Sequence, residues 1–335
     1  MRRLMATPAV SGGEVRRSTV NKFGNNQMIT DTSIRQPETR LFSGEDDYQG
    51  MRFLLTDIYT RQGPQVSCTL GELDWWRFTE HDPNAIASTR LWLVDGEIKA
   101  AAWPHPDSVD LFVHPDHRYL EDTMMEWAEL RTRDATAHDE GVQFSAMGYP
   151  RDEFRVALLA SRGYRRTERF FYCRQRSLST PIPNFKLPKK FSFQHVKGEQ
   201  DLQKRVDIHR AAFAPSSMTV ERYRRVTQAP SYRPELDLVI AAPDGTFIAQ
   251  CLSWIDPVNR VGAIQPIGVH PNFRRQGFGK MICFETFRRL QAMGAYRVQV
   301  IGWGGTWTRG EPAAMMFERV QLFEVGRDYV WTKVL

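Results

Sequence analysis

A stretch of glycine and basic residues in the C-terminal part of the chain has the composition of an anion-binding loop. It spans residues 274–280 and reads RRQGFGK. Apolar residues precede it and recur at helical spacing after it, so we expect a strand, a loop and a helix over 279–293. The first N–H groups of a helix lack intrahelical partners and lie at the positive end of the helix dipole. Gly277 and Gly279 would let the backbone approach an anion closely, and three cations, at Arg274, Arg275 and Lys280, add positive charge. The residues therefore predict a site that fits a pyrophosphate.

The spacing excludes two other phosphate-binding loops. The dinucleotide fingerprint needs a third glycine, and that position is Ile282. The nucleotide P-loop needs Ser or Thr after Gly-Lys and a glycine five positions before the Gly-Lys glycine. Those positions are Met281 and Arg274 here. The remaining alternative is a glycine turn that only caps the helix.

The loop resembles motif A of the GNAT superfamily of N-acetyltransferases. That signature is Gln/Arg-x-x-Gly-x-Gly/Ala after a strand ending in Val-x-Pro, and Arg274, Gly277 and Gly279 match it after Val269-His270-Pro271. Segment 191–335 follows the family's order of elements. In detail it is most similar to tandem-domain acetyltransferases of the mycothiol-synthase type, a likeness carried from residues 210–213 through residues 256–260.

The resemblance implies acetyl-coenzyme A as cosubstrate, a small-molecule amine as acceptor, and no metal. The amine would attack the thioester directly, without a covalent enzyme intermediate. The acetyl group would lie in a cleft between the strand before the loop and a strand at 296–301. The pantetheine arm would pair with the backbone of Ile267, Gly268 and Val269. The pyrophosphate would be held by the backbone amides of Arg275, Gln276, Gly277, Phe278, Gly279 and Lys280.

The acid and base that many relatives use are missing. The usual tyrosine of the last helix is Phe317, which has no proton to give, and the strand over 261–265 has no carboxylate. Such groups contribute about 10²–10⁴-fold in rate, so their loss need not abolish transfer. His270 and Glu311 are the catalytic candidates, although His270 fits a turn cap and Glu311 favours a helix N-terminus. Asp256 and His209 are weaker candidates for the missing acid and base. We expect Asp256 to be a turn former and His209 to be a surface residue of a helix.

Two segments of the chain resemble each other. Val113-His114-Pro115 stands 156 positions before Val269-His270-Pro271, and other landmarks recur at nearly the same offset. In the first copy both loop glycines are gone, and Glu121 and Asp122 would repel a pyrophosphate. We therefore expect the first copy not to bind coenzyme A.

The duplication predicts an α/β protein with a tandem GNAT fold, two mixed-sheet domains each flanked by helices. Asp95-Gly96 and Asp244-Gly245 predict hairpins, one in each copy. A helix is expected over 201–213 and a final strand over 324–330. The predicted order is a loose tail over 1–35, a degenerate domain over 36–180, a Pro/Lys linker over 181–190 and a coenzyme A-binding domain over 191–335.

Composition limits the class of protein. Of 335 residues 41% are hydrophobic and 25% charged, which is typical of a globular chain. No apolar run is long enough to span a membrane, and the four cysteines form no Cys-x-x-Cys pair, so we expect a reducing, cytoplasmic location without a membrane partner.

Charge is unevenly divided along the chain. The net charge of +6 combines −7 over residues 41–180, from 16 basic and 23 acidic residues, with +6 over 191–335, from 19 and 13, and with +4 over 1–40 and +3 over 181–190. This division argues against a nucleic-acid surface along the whole chain. A catalytically weak acyl-coenzyme A sensor, and acyl transfer to a thiol or decarboxylation, remain alternatives to amine acetylation.

Overall fold

A computed structural model describes residues 37–64, 66–136, 141–304 and 312–335. The predicted tail over 1–35 and the candidate Glu311 lie outside these residues. We call residues 37–180 the first half and residues 191–335 the second half. The strands of the first half are β1 (Glu38–Leu41), β2 (Arg90–Val94), β3 (Glu97–Pro104), β4 (Ser108–Val113), β5 (Gln143–Gly148) and β6 (Arg165–Ser177). Its helices are α1 (Glu45–Gln62), α2 (Leu70–Thr79), α3 (Glu121–Ala135) and α4 (Glu153–Ser161).

The second half repeats this order of elements. The predicted hairpin turn at Asp244-Gly245 falls between its second and third strands, and the expected helix over 201–213 forms within one or two residues of its predicted ends. Its strands are β7 (Ser192–His195), β8 (Asp237–Ala241), β9 (Phe247–Asp256), β10 (Val261–Val269), β11 (Arg297–Gly304) and β12 (Phe323–Val334). Its helices are α5 (Glu199–Ala212), α6 (Val220–Val226), α7 (Phe278–Ala292) and α8 (Pro312–Arg319).

Local sequence signals explain where several elements begin. Asp95 and Gly96 have φ values of 51° and 81°, which a tight β2–β3 hairpin turn requires. Thr69 and Glu72 form a capping box at the start of α2, because each side chain accepts a hydrogen bond from the other residue's backbone N–H. This capping places the buried Glu72 in the first turn of α2.

The strands of both halves join in one sheet. Their order is β1-β2-β3-β4-β5-β12-β6-β11-β10-β9-β8-β7. The last strand of each half therefore lies inside the other half's part of the sheet. Strand β6 pairs with β11, with Val298 opposite Arg176, and β12 pairs with β5, with Trp331 opposite Ala146. The two halves thus exchange their final strands, and each completes the sheet of the other.

Helices cover both faces of the sheet. In the second half α7 and α8 pack on one face and α5 and α6 on the other, around separate clusters of buried side chains. In the first half α1 and α2 cover one face and α3 and α4 the opposite one. Helix α2 also reaches the second half, because Leu73 is buried in the first-half core while Trp75 packs against the α5–α6 core.

The predicted α/β fold with a mixed sheet flanked by helices is confirmed. The expected separate sheets of the two copies are one continuous sheet, because β6 and β12 are exchanged. Residues 181–190 form neither strand nor helix. Phe185 of this segment packs against Phe284 of α7, with ring centroids 5.9 Å apart. Within the described parts of the chain, no helix has both the length and the apolar character needed to cross a membrane.

Candidate active site

A cleft opens in the sheet between β10 and β11. The two strands pair in parallel only from Val261, opposite Arg297, to Ala263, opposite Gln299. Beyond that point β10 continues along β9 and β11 continues along β6, and the β9–β10 register shifts between Ile264 and Ile267. No described strand covers the facing edge of β10 after Ala263. Backbone groups at Ile267, Gly268 and Val269 therefore lie along a sheet edge to which an extended ligand can add.

The predicted anion-binding loop lies at the open end of this cleft. Gly277 caps α7 with φ of 89°, a left-handed conformation that favours glycine. In the first hydrogen bond of helix α7, the Met281 N–H donates to the Gly277 carbonyl at 3.0 Å. The N–H groups of Phe278, Gly279 and Lys280 therefore precede this bond and point out of the helix end. These are three of the N–H groups to which the sequence prediction assigns a pyrophosphate.

Side chains of the loop divide into exposed cations and anchors. Arg275, Gln276 and Lys280 are exposed, whereas Phe278 is buried in the α7–α8 core. Arg274 is exposed but engaged: its Nε donates to the Val269 carbonyl at 3.1 Å and its guanidinium to the Ala212 carbonyl at 3.0 Å. Arg274 therefore holds the loop against β10 and α5, and the cations with no such anchoring bond are Arg275 and Lys280.

Glycine at 279 keeps the helix start close to its neighbours. A Cβ there would lie 3.5 Å from both Val269 Cγ2 and Met316 Cγ, which is ordinary contact. A larger side chain would have to displace these residues or extend towards the cleft. The position thus tolerates little bulk between α7, β10 and α8.

His270 caps the short 3₁₀ turn at Pro271–Phe273. Its Nδ1 accepts a hydrogen bond from the Asn272 N–H at 3.2 Å. His114 of the first half does the same for Asp116, at 3.1 Å. His270 also follows the end of β10, on the order of 20 Å from the closed end of the cleft, given a rise of about 3.3 Å per residue. Its position therefore favours a capping role over proton transfer.

Two further sequence candidates have structural roles. Asp256 Oδ1 accepts the N–H groups of Val258 and Asn259, which makes it the turn former that the sequence indicated. The prediction that His209 is a surface residue is wrong. It is buried against the rings of Trp75 and Phe213, with centroids 5.8 and 4.9 Å away.

Burial accounts for the charge state of His209. Desolvation first, and then the nearby Arg205 guanidinium, lower the pKa of His209 to about 3. The imidazole is therefore neutral near pH 7. The sequence predicts helix α5 correctly, but His209 lies on the face of α5 that packs on the sheet.

The surroundings of Phe317 contain a tyrosine from the other half. Phe317 is buried, and the Tyr172 ring of β6 packs against it with centroids 6.4 Å apart. Tyr172 pairs with Gly302 of β11, beyond the point where β10 diverges. A Cβ at Gly302 would lie 2.5 Å from the Tyr172 hydroxyl, so the glycine makes room for this phenol at the cleft wall. The sequence did not indicate Tyr172, because it belongs to the copy whose loop lacks the two glycines.

A cavity of about 500 Å³ opens on the face of the sheet opposite to helices α7 and α8. Gln265 of β10 and Ile301 and Trp303 of β11 line it at the cleft, while the first half supplies most of the remaining wall. Trp303 thus lines a pocket, and Trp307 lies outside the described residues. The first-half wall includes Glu72, Trp76, Trp103, His105, Asp110 and Phe171.

Two buried carboxyl groups face this cavity. Burial raises the pKa of Glu72 to about 7, although hydrogen bonds from Thr69 oppose the shift. Burial also raises the pKa of Asp328 to about 7, against the hydrogen bond from Ser67. The Ser67 hydroxyl donates to Asp328 Oδ2 at 2.6 Å. Among other charged groups near Asp328, the guanidinium of Arg155 lowers the pKa, while Asp110 and Asp152 raise it.

The corresponding loop of the first half is filled by ion pairs. Glu121, at the place of Gly277, is fully buried and pairs with both Arg118 and Arg155. Arg118 also contacts Asp152 at 2.8 Å. A carboxylate therefore occupies the position where a pyrophosphate would need a glycine, which supports the prediction that this copy does not bind coenzyme A.

Among the described residues, the cleft has neither a metal-binding cluster nor a reactive thiol. Within the described residues, no group of three or more His, Cys, Asp or Glu side chains is placed to hold a metal ion. All four cysteines are free and buried. Burial raises the pKa of the Cys173 and Cys251 thiols to about 12, so both are neutral near pH 7.

Comparison with known proteins agrees with this geometry. Residues 204–319 match the model of the acetyltransferase (GNAT) family. A GCN5-related N-acetyltransferase from Sphaerobacter thermophilus is 20% identical with a TM-score of 0.62, over 89% of this chain and 95% of that one. A tandem GNAT protein from the clavulanic acid biosynthesis pathway is 15% identical, also with a TM-score of 0.62, over 89% and 98% of the two chains.

A more distant structure has the same fold. A GNAT-family acetyltransferase from Colwellia psychrerythraea is 11% identical with a TM-score of 0.54, over 89% of this chain and 100% of that one. The sequence comparison with curated proteins gave no match. Segment 204–319 thus matches the acetyltransferase (GNAT) family, and the chain as a whole has the α/β fold of GNAT acetyltransferases, a tandem GNAT protein among them.

Proposed function

We propose that this protein transfers an acetyl group from acetyl-coenzyme A to the amine of a small molecule. The observation that carries the proposal is the position of the β10–β11 cleft, which has the anion-binding loop at its open end and the cavity on the opposite face. A donor can therefore approach from one side of the sheet and an acceptor from the other. The GNAT fold supports acyl transfer in general, and the acetyl donor and amine acceptor are our inference.

The donor side has the groups that coenzyme A requires. The free N–H groups at the start of α7 and the exposed side chains of Arg275 and Lys280 suit the pyrophosphate. The uncovered edge of β10 over residues 267–269 suits the amides of the pantetheine arm, as an added strand would. The glycine-bearing loop distinguishes the second half, because the buried Glu121 takes the place of Gly277 in the first half.

The acceptor side favours a small molecule. A cavity of about 500 Å³ has the size of a small-molecule site. We therefore propose no nucleic-acid or membrane partner. Four free, buried cysteines are compatible with the expected reducing, cytoplasmic location. The finer likeness to the mycothiol-synthase type rests on residues 210–213 and 256–260 and stays a prediction.

Direct attack by the amine fits the chemistry of the chain. A neutral, buried thiol is a poor nucleophile, so Cys173 and Cys251 are unsuited to carry an acyl group. The departing thiolate needs a proton that Phe317 cannot supply. We assign this role to the Tyr172 hydroxyl, because it lies at the cleft wall beside Phe317.

The test is acetylation of a panel of small amines with acetyl-coenzyme A, followed by mass spectrometry. The proposal expects an N-acetylated product with release of one coenzyme A per product. Phe317 supports the sensor alternative, because it cannot donate a proton. Binding of acetyl-coenzyme A without turnover of any amine would favour that alternative. Transfer to thiols only, or decarboxylation of malonyl-coenzyme A, would favour the third possibility.

A further inference from the structure

The cavity wall contains a buried carboxylate with an unused oxygen, on a strand two positions away from β11 in the sheet. Asp328 lines the cavity and is 2% exposed. Its Oδ2 accepts from Ser67, whereas Oδ1 has no hydrogen-bond partner among the described residues. A buried acceptor of this kind is costly unless a donor reaches it. The arrangement therefore points to a ligand that brings a donor to Oδ1.

A second unpartnered acceptor lies at the cleft end of the same cavity. Gln265 Oε1 is buried and likewise lacks a hydrogen-bond partner within the described part of the chain. Gln265 belongs to β10, close to where this strand diverges from β11. The cavity thus has one unpartnered acceptor at the cleft and another two strands beyond β11, and a ligand with a donor at each of its ends would satisfy both.

The sheet register sets the distance between Asp328 and the cleft. Asp328 of β12 is opposite Phe171 of β6, and Phe171 is opposite Trp303 of β11. Neighbouring strands are about 4.8 Å apart, so Asp328 lies about 10 Å from Trp303 across the sheet, and the cleft lies beyond Trp303. Asp328 is therefore too far from the cleft to contact a nitrogen that reacts there.

The acidic and aromatic side chains of the cavity wall favour a cation near Asp328. The cavity wall contains four carboxyl groups, those of Glu72, Glu80, Asp110 and Asp328, against two guanidiniums and the imidazole of His105, which contacts Asp110 at 2.8 Å. Arg222 already donates to the Thr79 carbonyl, and Arg169 stacks on the Trp303 ring at 5.0 Å near the cleft. Aromatic faces attract cations, and the aromatic side chains of the wall are Trp76, Trp103, Tyr149, Phe171 and Trp303.

We propose that Asp328 binds a second, positively charged nitrogen of the acceptor, so that the acceptor is a compound with a cationic group at least about 10 Å from the amine that is acetylated. The inference rests on the proposed function, because it deepens the acceptor side of the same site. Asp328 is then a specificity-determining residue contributed by the exchanged strand β12. The Ser67 hydroxyl orients its carboxylate, leaving Oδ1 for the ligand.

Binding of linear amines tests this proposal. Calorimetric titrations would use α,ω-diaminoalkanes of four to ten carbons and monoalkylamines of equal length, with and without coenzyme A. The variants are Asp328→Asn, which removes the charge and keeps the shape, and Asp134→Asn, an exposed carboxylate of α3 outside the cavity wall. Melting curves would verify folding, and acetyl-coenzyme A affinity would be measured in the same samples.

In the wild type and in Asp134→Asn, we expect the best diamine to bind about 10-fold more tightly than its monoamine, the size of one hydrogen bond to a charged group. In Asp328→Asn this preference should fall below about twofold. Equal binding of diamines and monoamines by the wild type would overturn the inference, even if Asp328→Asn failed to fold. A diamine preference that survives in Asp328→Asn would also overturn it. Absence of acetyl-coenzyme A binding would instead count against the proposed function.

Discussion

Tyr172 and Phe317 pack edge to face, with ring centroids 6.4 Å apart and planes at 66°, although they come from different halves of the chain. Tyr172 belongs to the last strand of the first half and Phe317 to the last helix of the second half. The exchange of final strands brings a phenol next to Phe317, the position at which the resemblance to GNAT acetyltransferases would place a tyrosine. The degenerate copy can therefore contribute to the chemistry of the other copy.

Replacement of this phenol tests its role. Tyr172→Phe keeps the ring and removes the hydroxyl, so we expect kcat for acetyl transfer to fall by about 10²–10⁴-fold, the usual contribution of a general acid. The affinity for acetyl-coenzyme A and the melting temperature should change little. Steady-state kinetics and calorimetry measure these quantities. Tyr119→Phe, at an exposed tyrosine of the first half, is the matched control, and equal rates for the two variants would exclude Tyr172 as the acid.

The exposed cations of the loop should act on affinity. In Lys280→Gln and Arg275→Gln, we expect the Kd for acetyl-coenzyme A to rise about threefold to fivefold, since an exposed charge contributes up to about 1 kcal/mol. The effect should shrink at high salt because of screening. Lys197→Gln, at an exposed lysine far along the chain from the loop, is the control. An unchanged Kd in both loop variants would argue against a phosphate at this place.

The ion pairs of the first half should act on stability. Glu121→Gln leaves the guanidiniums of Arg118 and Arg155 without their buried partner, so we expect a loss of about 3–5 kcal/mol in the free energy of unfolding. Urea titrations at pH 7 measure it. The control is Asp122→Asn. In the wild type the Asp122 carboxylate pairs with Arg162 at the surface, so the loss in free energy of unfolding should stay below about 1 kcal/mol. Similar losses in both variants would contradict a structural role for the buried pairs.

Asp328 should make stability depend on pH. In the folded protein its carboxyl group has a pKa of about 7, above the usual 3.8, so the folded state holds a proton that the unfolded chain releases. This contribution to stability is complete below pH 3.8 and is lost as pH rises through 7. Asp328→Asn avoids the loss.

We therefore expect Asp328→Asn to be more stable than the wild type at pH 8, by up to about 4 kcal/mol, and nearly equal to it at pH 4. Urea unfolding at both pH values, with Asp134→Asn as control, measures the difference. A wild type that is as stable as the variant at pH 8 would show that the carboxylate is well solvated or paired there.

Local patterns in the sequence explain which features could be predicted. The loop from Arg274 to Lys280 and helix α7 were predictable, because glycine, charge and helical spacing act over a few residues. Tyr172 and Asp328 were not, because their places depend on pairing between strands that are distant in sequence. The burial of His209 was not predictable, because the spacing of residues indicated its helix but not which face of that helix packs on the sheet.

A structure of the protein with acetyl-coenzyme A bound tests the central claim most directly. The account predicts one molecule per chain, with its pyrophosphate at the N–H groups of Phe278, Gly279 and Lys280. Its thioester should lie between β10 and β11, within reach of the Tyr172 hydroxyl. Coenzyme A bound at the Arg118–Glu121 loop of the first half, or outside the β10–β11 cleft, would contradict it.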